Sequence, residues 1–317
     1  MTREERKNVY LDLCAKQKIT GLFMQPWWLD AAGSWEVALA IRNDQVVGAM
    51  PYPPGRRWGI KTIGMPLQTH HLRIWMDKPP DVSDHKWLTR EKQILWLLID
   101  DLPGYGYFSM VFEGDSFNNW LPFHWKGFRQ EMRYTFVLDR TDPDTLDQQI
   151  NRNMKRTLRE HEEDLQCIRN IPTEGFLDIC RETYRRQGIP MPLDTDTFQK
   201  LDQAISQHDA GIRLGAMDRS GQCVAVAYLL WDDRRAYYWL SGDNENGRKL
   251  GASIRLCHEA IRIAFEEKAL KTFDFCGSML EPVTEIRRQF GARAEPLMKI
   301  FRARYKWLDV VYSLTRK

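Results

Sequence analysis

The sequence predicts an α/β protein made of two lobes, each a mixed, mostly antiparallel sheet flanked by helices. Runs with the two-residue alternation of strands are interleaved with longer stretches that have the apolar period of helices. Both halves also share one order of elements: hairpin strands, a third strand, a loop, a helix, a strand, and a turn of Gly and Phe into a final strand. The halves share negligible identity, so duplication and an accidental match both stay open, and we favour duplication.

The composition is typical of a globular enzyme or binding protein. The chain has 317 residues, of which 43% are apolar, enough for one large or two medium domains. A net charge of +3 is too small to indicate general nucleic-acid binding, and no DNA partner is expected, although a local basic patch could bind phosphates. The six cysteines form no CxxC pair, so we expect a reducing compartment and no metal site.

No stretch of the sequence has the character of a signal peptide or a membrane helix. The N-terminus mixes charges of both signs, and no segment approaches the roughly 20 apolar residues that span a bilayer. We therefore expect a cytoplasmic protein without a transmembrane segment. The sequence does not indicate its oligomeric state.

The first lobe is expected over residues 1–141. Asn43-Asp44 suits the tight turn of its opening hairpin, and an irregular polar loop covers Gly64–His71. The predicted strands are Glu36–Arg42, Gln45–Met50, Trp58–Ile63, Phe108–Phe112 and Tyr134–Leu138, and the predicted helix is Lys86–Asp100.

Residues 142–210 are expected to form helices that connect the lobes and pack on the second one. Asp and Pro suit the cap and first position of a helix that opens at Pro143 and runs to about Leu165. Helical periodicity predicts two more helices, at Glu174–Gln187 and Asp196–Gln207.

The second lobe is expected over residues 211–317. A polar loop, Gly242–Gly251, separates its third strand from a long helix. The predicted strands are Ile212–Met217, Gln222–Trp231, Ala236–Ser241, Thr272–Cys276 and Pro296–Phe301, and the predicted helices are Ala252–Lys268, Pro282–Phe290 and Tyr305–Leu314.

A candidate phosphate site lies where this loop enters the long helix. Exposed backbone N–H groups and the helix dipole favour an anion at such a turn, and Gly251 lets a phosphate approach the backbone. Arg248 and Ser253 flank this glycine. The alternative is a plain helix start with a basic turn, and we favour phosphate binding because the context is strand, loop and helix.

A second basic feature lies on the first connecting helix. Arg152, Lys155, Arg156 and Arg159 follow the spacing of one helix face, which could hold a nucleotide or tRNA phosphate. The alternative is a solvated face whose charges pair with the acidic residues that follow, Glu160, Glu162 and Glu163. Both interpretations stay open.

Several polar side chains are candidates for direct chemistry. In the first lobe, Gln68, Thr69 and His70 lie on a loop at a predicted strand end, where His70 could act as a base or orient an acceptor, or could be structural. In the second lobe, the candidates are Asp274 and Glu285. A carboxylate in mid-strand, such as that of Asp274, is costly to bury without a partner, and Glu285 follows near the same strand end.

Tyr238 is a further candidate, since it alternates with Tyr237 on a strand. One of the two rings therefore faces the core and the other could face a bound acyl group, although core packing is possible for both.

The stretch GDNENGRKLGASIRLCHEAIRIAFEEKALKTFDFCGS, followed by EIRRQFGA, resembles the catalytic half of the GNAT (N-acetyltransferase) superfamily. The tandem branch with the Fem-type (FemABX-like) peptidoglycan aminoacyltransferases and the BioF2-like acetyltransferase-domain proteins is the most similar. The first half contains weaker similarities to that branch, at Gln25–Trp28, Pro66–His71, Pro122–Phe128 and Asn151–Glu160.

This resemblance implies an acyltransferase with acyl-CoA, or else aminoacyl-tRNA, as co-substrate. It implies a degenerate first lobe on the acceptor side and a donor-binding second lobe, with the acceptor in a cleft between them. Arg248-x-x-Gly251-x-Ser253 resembles the pyrophosphate loop of the superfamily, and backbone N–H groups near Leu240 and Ser241 would stabilise the oxyanion. Ile286 and Arg287 occupy the places of the aromatic-lysine pair that Fem-type enzymes carry before the Phe-Gly turn, and this departure disfavours aminoacyl-tRNA as the donor. Arg287 is a candidate substrate ligand.

Three functions are therefore considered. The first is acyl transfer from a phosphate-bearing donor, most simply acyl-CoA, to the amine of a small molecule or a peptidoglycan precursor. The second is a Fem-type transfer from aminoacyl-tRNA in cell-wall synthesis, which Arg287 in place of lysine disfavours. The third is a non-catalytic binding protein on the same fold.

Overall fold

The computed structural model describes residues 1–140, 149–191, 193–277, 279–305 and 307. The chain forms two compact units: Met1–Arg133 together with Pro296–Lys317 make up the first, and Tyr134–Glu295 the second. The lobe boundaries expected at residues 141 and 210 stay a prediction. In the described part of the chain, no helix combines the length and the apolar character that crossing a bilayer requires.

The first unit contains two sheets and four helices among its described residues. Its elements are α1 (Arg3–Ala15), α2 (Pro26–Ala32), β1 (Glu36–Arg42), β2 (Gln45–Tyr52), β3 (Pro54–Arg57), β4 (Ile60–Ile63), β5 (Trp75–Met76), α3 (Asp84–Asp100), β6 (Tyr107–Glu113), α4 (Leu121–Trp125), and parts of β7 (Arg129–Asp139) and β13 (Arg293–Ala303). One sheet has the order β1-β2-β5, and α1 and α3 pack against β1. In the other, β3, β4, β6 and β13 follow one another, with β4 parallel to β6 and the other pairs antiparallel.

The second unit contains one six-stranded sheet. Its further elements are α5 (Arg152–Glu160), β8 (Gln166–Arg169), α6 (Thr173–Arg186), α7 (Thr195–Gln207), β9 (Gly211–Met217), β10 (Cys223–Trp231), β11 (Arg235–Asp243), α8 (Glu245–Lys249), α9 (Ala252–Arg262), β12 (Thr272–Asp274) and α10 (Glu281–Gln289). The strand order is β7-β12-β11-β10-β9-β8, in which only β11 and β12 run parallel.

The core of the second unit lies between this sheet and α9. Apolar residues of α9 at helical spacing, among them Leu256, Ala260 and Ile261, are buried against residues of β9 to β11 such as Leu214 and Ala227. Helix α6 packs against β10 and β11. Burial on both faces explains why the sequence of β10 is a continuous apolar run.

Two predicted elements, a strand of the first lobe and the first connecting helix, differ from those observed. Trp58-Gly59 is a turn between β3 and β4, with positive φ at both residues, and does not begin a strand. The first connecting helix is much shorter than predicted, since α5 ends at Glu160 and the chain from Gln166 is a strand. Its expected start at Pro143 lies outside the described residues.

Two differences concern the ends of the long helix of the second unit. The polar loop before it contains a short helix, α8, and α9 leaves α-helical geometry at Arg262 and continues as one turn of π-helix, Ile263–Glu267. The closing helix predicted at Tyr305–Leu314 lies almost wholly outside the described residues.

Candidate active site

The parallel strands β11 and β12 part after three residue pairs. Arg235 to Tyr237 pair with Thr272 to Asp274, where β12 ends, whereas β11 continues to Asp243. Pairing of β11 with β10 also shifts by one residue, since Leu240 faces Tyr228 and Tyr238 faces Leu229. Trp239 is therefore a β-bulge, which twists the strand at the place where its edge facing β12 becomes unpaired.

A cavity of about 270 Å³ opens at this separation. Its lining is contributed by β11, by the chain after β12, by α6, and by the first turns of α9 and the middle of α10. The lining residues are Tyr184, Tyr238, Trp239, Leu240, Ser241, Ser253, Ile254, Cys257, Phe275, Cys276, Val283, Ile286 and Arg287. They all belong to the second unit, and most are apolar, so the cavity can shield a reacting group from water.

Tyr238 lines this cavity, and its phenol is protonated. Its hydroxyl is buried and forms no hydrogen bond of normal geometry with the described residues. Burial raises the pKa of Tyr238 well above its usual range, and the hydroxyl of Ser241 offsets only part of that rise. The side chain can therefore act as a proton donor and cannot act as a phenolate base near neutral pH.

The two thiols in the lining are also neutral. Burial raises the pKa of the Cys257 thiol, and burial together with the charge of Asp274 raises that of Cys276. Because the thiolate is the nucleophilic form of cysteine, neither environment favours covalent catalysis.

Arg287 is the charged residue of the cavity lining. It is 8% exposed, its Nη2 donates a hydrogen bond of 3.0 Å to the carbonyl of Phe275, and its guanidinium lies 5.9 Å from the ring centroid of Phe136. Burial lowers the pKa of Arg287, although an arginine remains charged at any physiological pH. The cavity can therefore attract a negatively charged group.

The candidate phosphate loop lies at the start of α9. Gly251 adopts a left-handed conformation (φ +64°), and a Cβ there would lie 3.3 Å from Cγ2 of Thr157 on α5. The N–H groups of Ala252 and Ser253 begin the helix and have no intrahelical partner, as at any helix start. The Ser253 hydroxyl donates to Asp243 (2.8 Å) and also borders the cavity, so the loop and the cavity are contiguous.

The side chain of Arg248 is turned towards Asp243, at 3.3 Å, and Arg186 approaches the same carboxylate at 3.0 Å. Backbone groups, rather than the arginine, are thus the anion donors that this loop offers in the observed arrangement.

The sequence and the fold of the second half match known proteins. Residues 125–281 match the model of a family described as an acetyltransferase (GNAT) domain. This match spans the separated strands, the phosphate loop and most of the cavity lining. The chain therefore contains a GNAT domain. It is an acyltransferase, as the sequence predicted.

Solved structures share the fold along almost the whole chain. FemX aligns over 100% of this chain and 99% of its own, with 12% identity and a TM-score of 0.68. L-PGS from Bacillus licheniformis aligns over 98% and 96%, with 11% identity and a TM-score of 0.57. A tandem GNAT protein from the clavulanic acid biosynthesis pathway aligns over 95% of both chains, with 10% identity and a TM-score of 0.56.

These likenesses confirm the predicted fold class of two GNAT-like lobes. No match was found among curated protein sequences.

Neither carboxylate candidate of this GNAT protein lines the cavity. Asp274 is fully buried: its carboxylate accepts hydrogen bonds from Thr135 and from the N–H of Cys276 (2.8 Å), and lies 3.4 Å from Arg235. Glu285 is on α10, about half exposed, and pairs with Arg288 at 2.9 Å. The cost of burying a carboxylate, which made Asp274 a candidate, is thus compensated by structural partners.

The basic face of the first connecting helix is present on α5. Arg152, Arg156 and Arg159 are exposed and Lys155 is half-buried, and none of them forms an ion pair with a residue of the described chain. Glu162 pairs with Arg255 instead. Of the two interpretations left open, pairing of this face with the acidic residues that follow is not seen within the described ranges.

The predicted acceptor loop belongs to the first unit. Thr69 Oγ1 accepts a hydrogen bond of 2.9 Å from the indole of Trp28, Gln68 has a positive φ of 57°, and the ring of His70 packs on that of His71 at 5.3 Å. These contacts hold the loop in one conformation.

Five residues of the lining were predicted from the sequence to belong to a site, and several others were not. Tyr238, Leu240, Ser241, Ser253 and Arg287 were predicted, whereas Tyr184, Trp239, Ile254 and Cys257 were assigned to periodic elements without a role in a site. These side chains line one cavity only because β11 and β12 separate. The sequence contains no local pattern that shows where two parallel strands separate.

Proposed function

We propose that this GNAT protein transfers an acyl group from acyl-CoA to an amine. The observation that carries the proposal is the cavity between the parted strands, which shares Ser253 with the first turn of α9. A thioester whose pyrophosphate binds the backbone of Gly251 to Ser253 would extend its acyl end towards β11. Free cysteines in the described chain fit a reducing compartment, so we further propose a cytoplasmic location.

The proposed reaction is a direct aminolysis. The amine nitrogen attacks the thioester carbonyl, and backbone N–H groups of β11 near Leu240 and Ser241 stabilise the oxyanion that develops. As the C–S bond breaks, the phenol of Tyr238 donates its proton to the departing thiolate and regains one from solvent. The proton lost by the amine leaves through water, because neither Asp274 nor Glu285 lines the cavity.

Substrate orientation would come from Arg287 inside the cavity, where a buried guanidinium favours an anionic group of either substrate. For Gln68, Thr69 and His70 we retain the proposal that they contact the acceptor.

Ligand-induced stabilisation of the full chain tests the donor. We expect acetyl-CoA or a longer acyl-CoA to raise the melting temperature in a saturable way, because a ligand of the native state stabilises it by mass action. CoA release upon addition of amines would then report turnover. A complete absence of stabilisation by any CoA ester contradicts acyl-CoA as the donor.

A second candidate is transfer from aminoacyl-tRNA to a peptidoglycan-precursor amine. The basic face of α5, which forms no ion pair with the described residues, favours it. Lys and Arg that contact phosphates make RNA affinity fall steeply with salt, with a slope close to the number of contacts. We expect, on this candidate, that Arg152→Gln and Arg156→Gln each reduce that slope by about one. No RNA binding at low salt would exclude it.

A further inference from the structure

A second cavity lies beside the last two turns of α6. It has a volume of about 570 Å³, within the range of small-molecule sites. It is lined by Asp178, Arg181, Glu182, Tyr184, Arg185, Ile189, Pro190 and Met191. Tyr184 lines the acyl-transfer cavity as well, so one aromatic side chain borders both spaces.

The position of Tyr184 is fixed by contacts between α6 and the end of β11. Thr183 Oγ1 accepts a hydrogen bond of 2.9 Å from the N–H of Asp243, and Arg186 donates one of 2.9 Å to the carbonyl of the same residue. Gly242 permits this approach, because a Cβ there would lie 2.8 Å from Thr183 Oγ1. The residues on both sides of Tyr184 are therefore tied to the strand that carries Tyr238 and Ser241.

The charges in the second cavity are of both signs. Asp178 and Arg181 neutralise each other at 2.8 Å. Glu182 and Arg185, three residues apart on the same face of α6, form no ion pair within the described part of the chain. Arg185 is exposed and Glu182 is half-buried. The cavity thus offers one carboxylate and one guanidinium next to each other.

We propose that this cavity binds a zwitterion of amino-acid size, with its ammonium group on Glu182 and its carboxylate on Arg185. Charge-assisted hydrogen bonds of this kind are the stronger ones in proteins, and the guanidinium can hold a carboxylate with two of them. Because Tyr184 borders both cavities, a zwitterion that carries a second amine on its side chain is the acceptor, and this second amine, not the ammonium group held by Glu182, attacks the thioester. That role rests on the proposed acyl transfer, whereas the binding does not.

Calorimetric titration of the full chain without any acyl donor tests the binding. The probes are L-norleucine, N-acetyl-L-norleucine, which lacks the ammonium group, and L-norleucinamide, which lacks the carboxylate. We expect L-norleucine to bind about tenfold more tightly than either blocked form, as one charge-assisted hydrogen bond is lost in each. Glu182→Gln should remove the preference over N-acetyl-L-norleucine, and Arg185→Gln the preference over L-norleucinamide.

Glu174→Gln is the matched control, since Glu174 is exposed on the same helix and does not line the cavity. Three outcomes would overturn the proposal: equal affinity for the three probes, no binding of L-norleucine at millimolar concentration, or unchanged L-norleucine binding by both variants. Loss of acyl transfer alone would instead contradict the proposed function and leave the binding result standing.

Discussion

The phenol of Tyr238 lies in an apolar cavity that keeps it protonated. Its neighbour Tyr237 points away from this cavity and donates to Asp232 at 3.0 Å. Strand alternation predicted that the two rings face opposite ways, but not which of them meets a substrate. The bulge at Trp239 and the early end of β12 decide that, and both depend on contacts distant in sequence.

Tyr238→Phe should lower kcat by about 100-fold and leave donor affinity unchanged, since a general acid acts mainly in the transition state. Tyr237→Phe is the matched control and should retain turnover. The wild-type rate should not decline between pH 7 and about pH 9, because a raised pKa keeps the acid protonated over that range. Full activity of Tyr238→Phe would rule out the proposed proton donor.

Asp274 is expected to stabilise the fold rather than to accept a proton. Asp274→Asn removes the charge that faces Arg235, so the free energy of unfolding should fall by about 3 kcal/mol in urea titrations. Glu285→Gln, on the exposed face of α10, should change it by less than about 0.5 kcal/mol. If Asp274→Asn loses turnover while its stability is unchanged, Asp274 would again be a candidate for the general base that accepts the proton of the amine.

At the scale of elements, local signals explain which predictions succeeded. The hairpin of β1 and β2 follows from Asn43-Asp44, and both residues adopt the positive φ that such turns require. Helix α1 was not predicted, although Thr2 and Glu5 form the capping box that marks a helix start. Trp58 was assigned to a strand because of its residue type, whereas Gly59 after it provides the turn.

The start of α9 gives a test of the phosphate loop. Gly251→Ala should destabilise the protein by about 1 kcal/mol because of its left-handed conformation, and should weaken acyl-CoA binding if the backbone contacts phosphate. Gly175→Ala, in the first turn of α6 with open space around its Cβ, should be neutral or slightly stabilising. Unfolding curves and donor titrations measure both effects. Unaltered donor affinity in Gly251→Ala would argue against this loop as the phosphate site.

At the scale of the whole molecule, the order of elements was predictable from the sequence, and the pairing partner of the last strand was not. The sequence indicates two successive series of strands and helices, but β13 pairs through Leu297–Ala303 with β6, in the first unit. Strand pairing over such a separation has no local signature, because apolar alternation specifies which face is buried and not which neighbour is chosen.

Native-state hydrogen exchange can test whether β13 unfolds together with β6. Amides of residues 297–303 should exchange with the same opening free energy as those of residues 107–113, since paired strands unfold together. The amides of β9 and β10 should form a separate group. Exchange of β13 together with β9 and β10 would contradict the division into units.

The pairing of β13 with β6 also has a consequence for protein synthesis. Domains generally complete their folding in the order in which they leave the ribosome, starting from the N-terminus. Here the whole of Tyr134–Glu295 is made before the first unit receives its last strand. During translation, one edge of β6 therefore stays unpaired until β13 has been made. The first unit begins to be synthesised before the second and is completed after it.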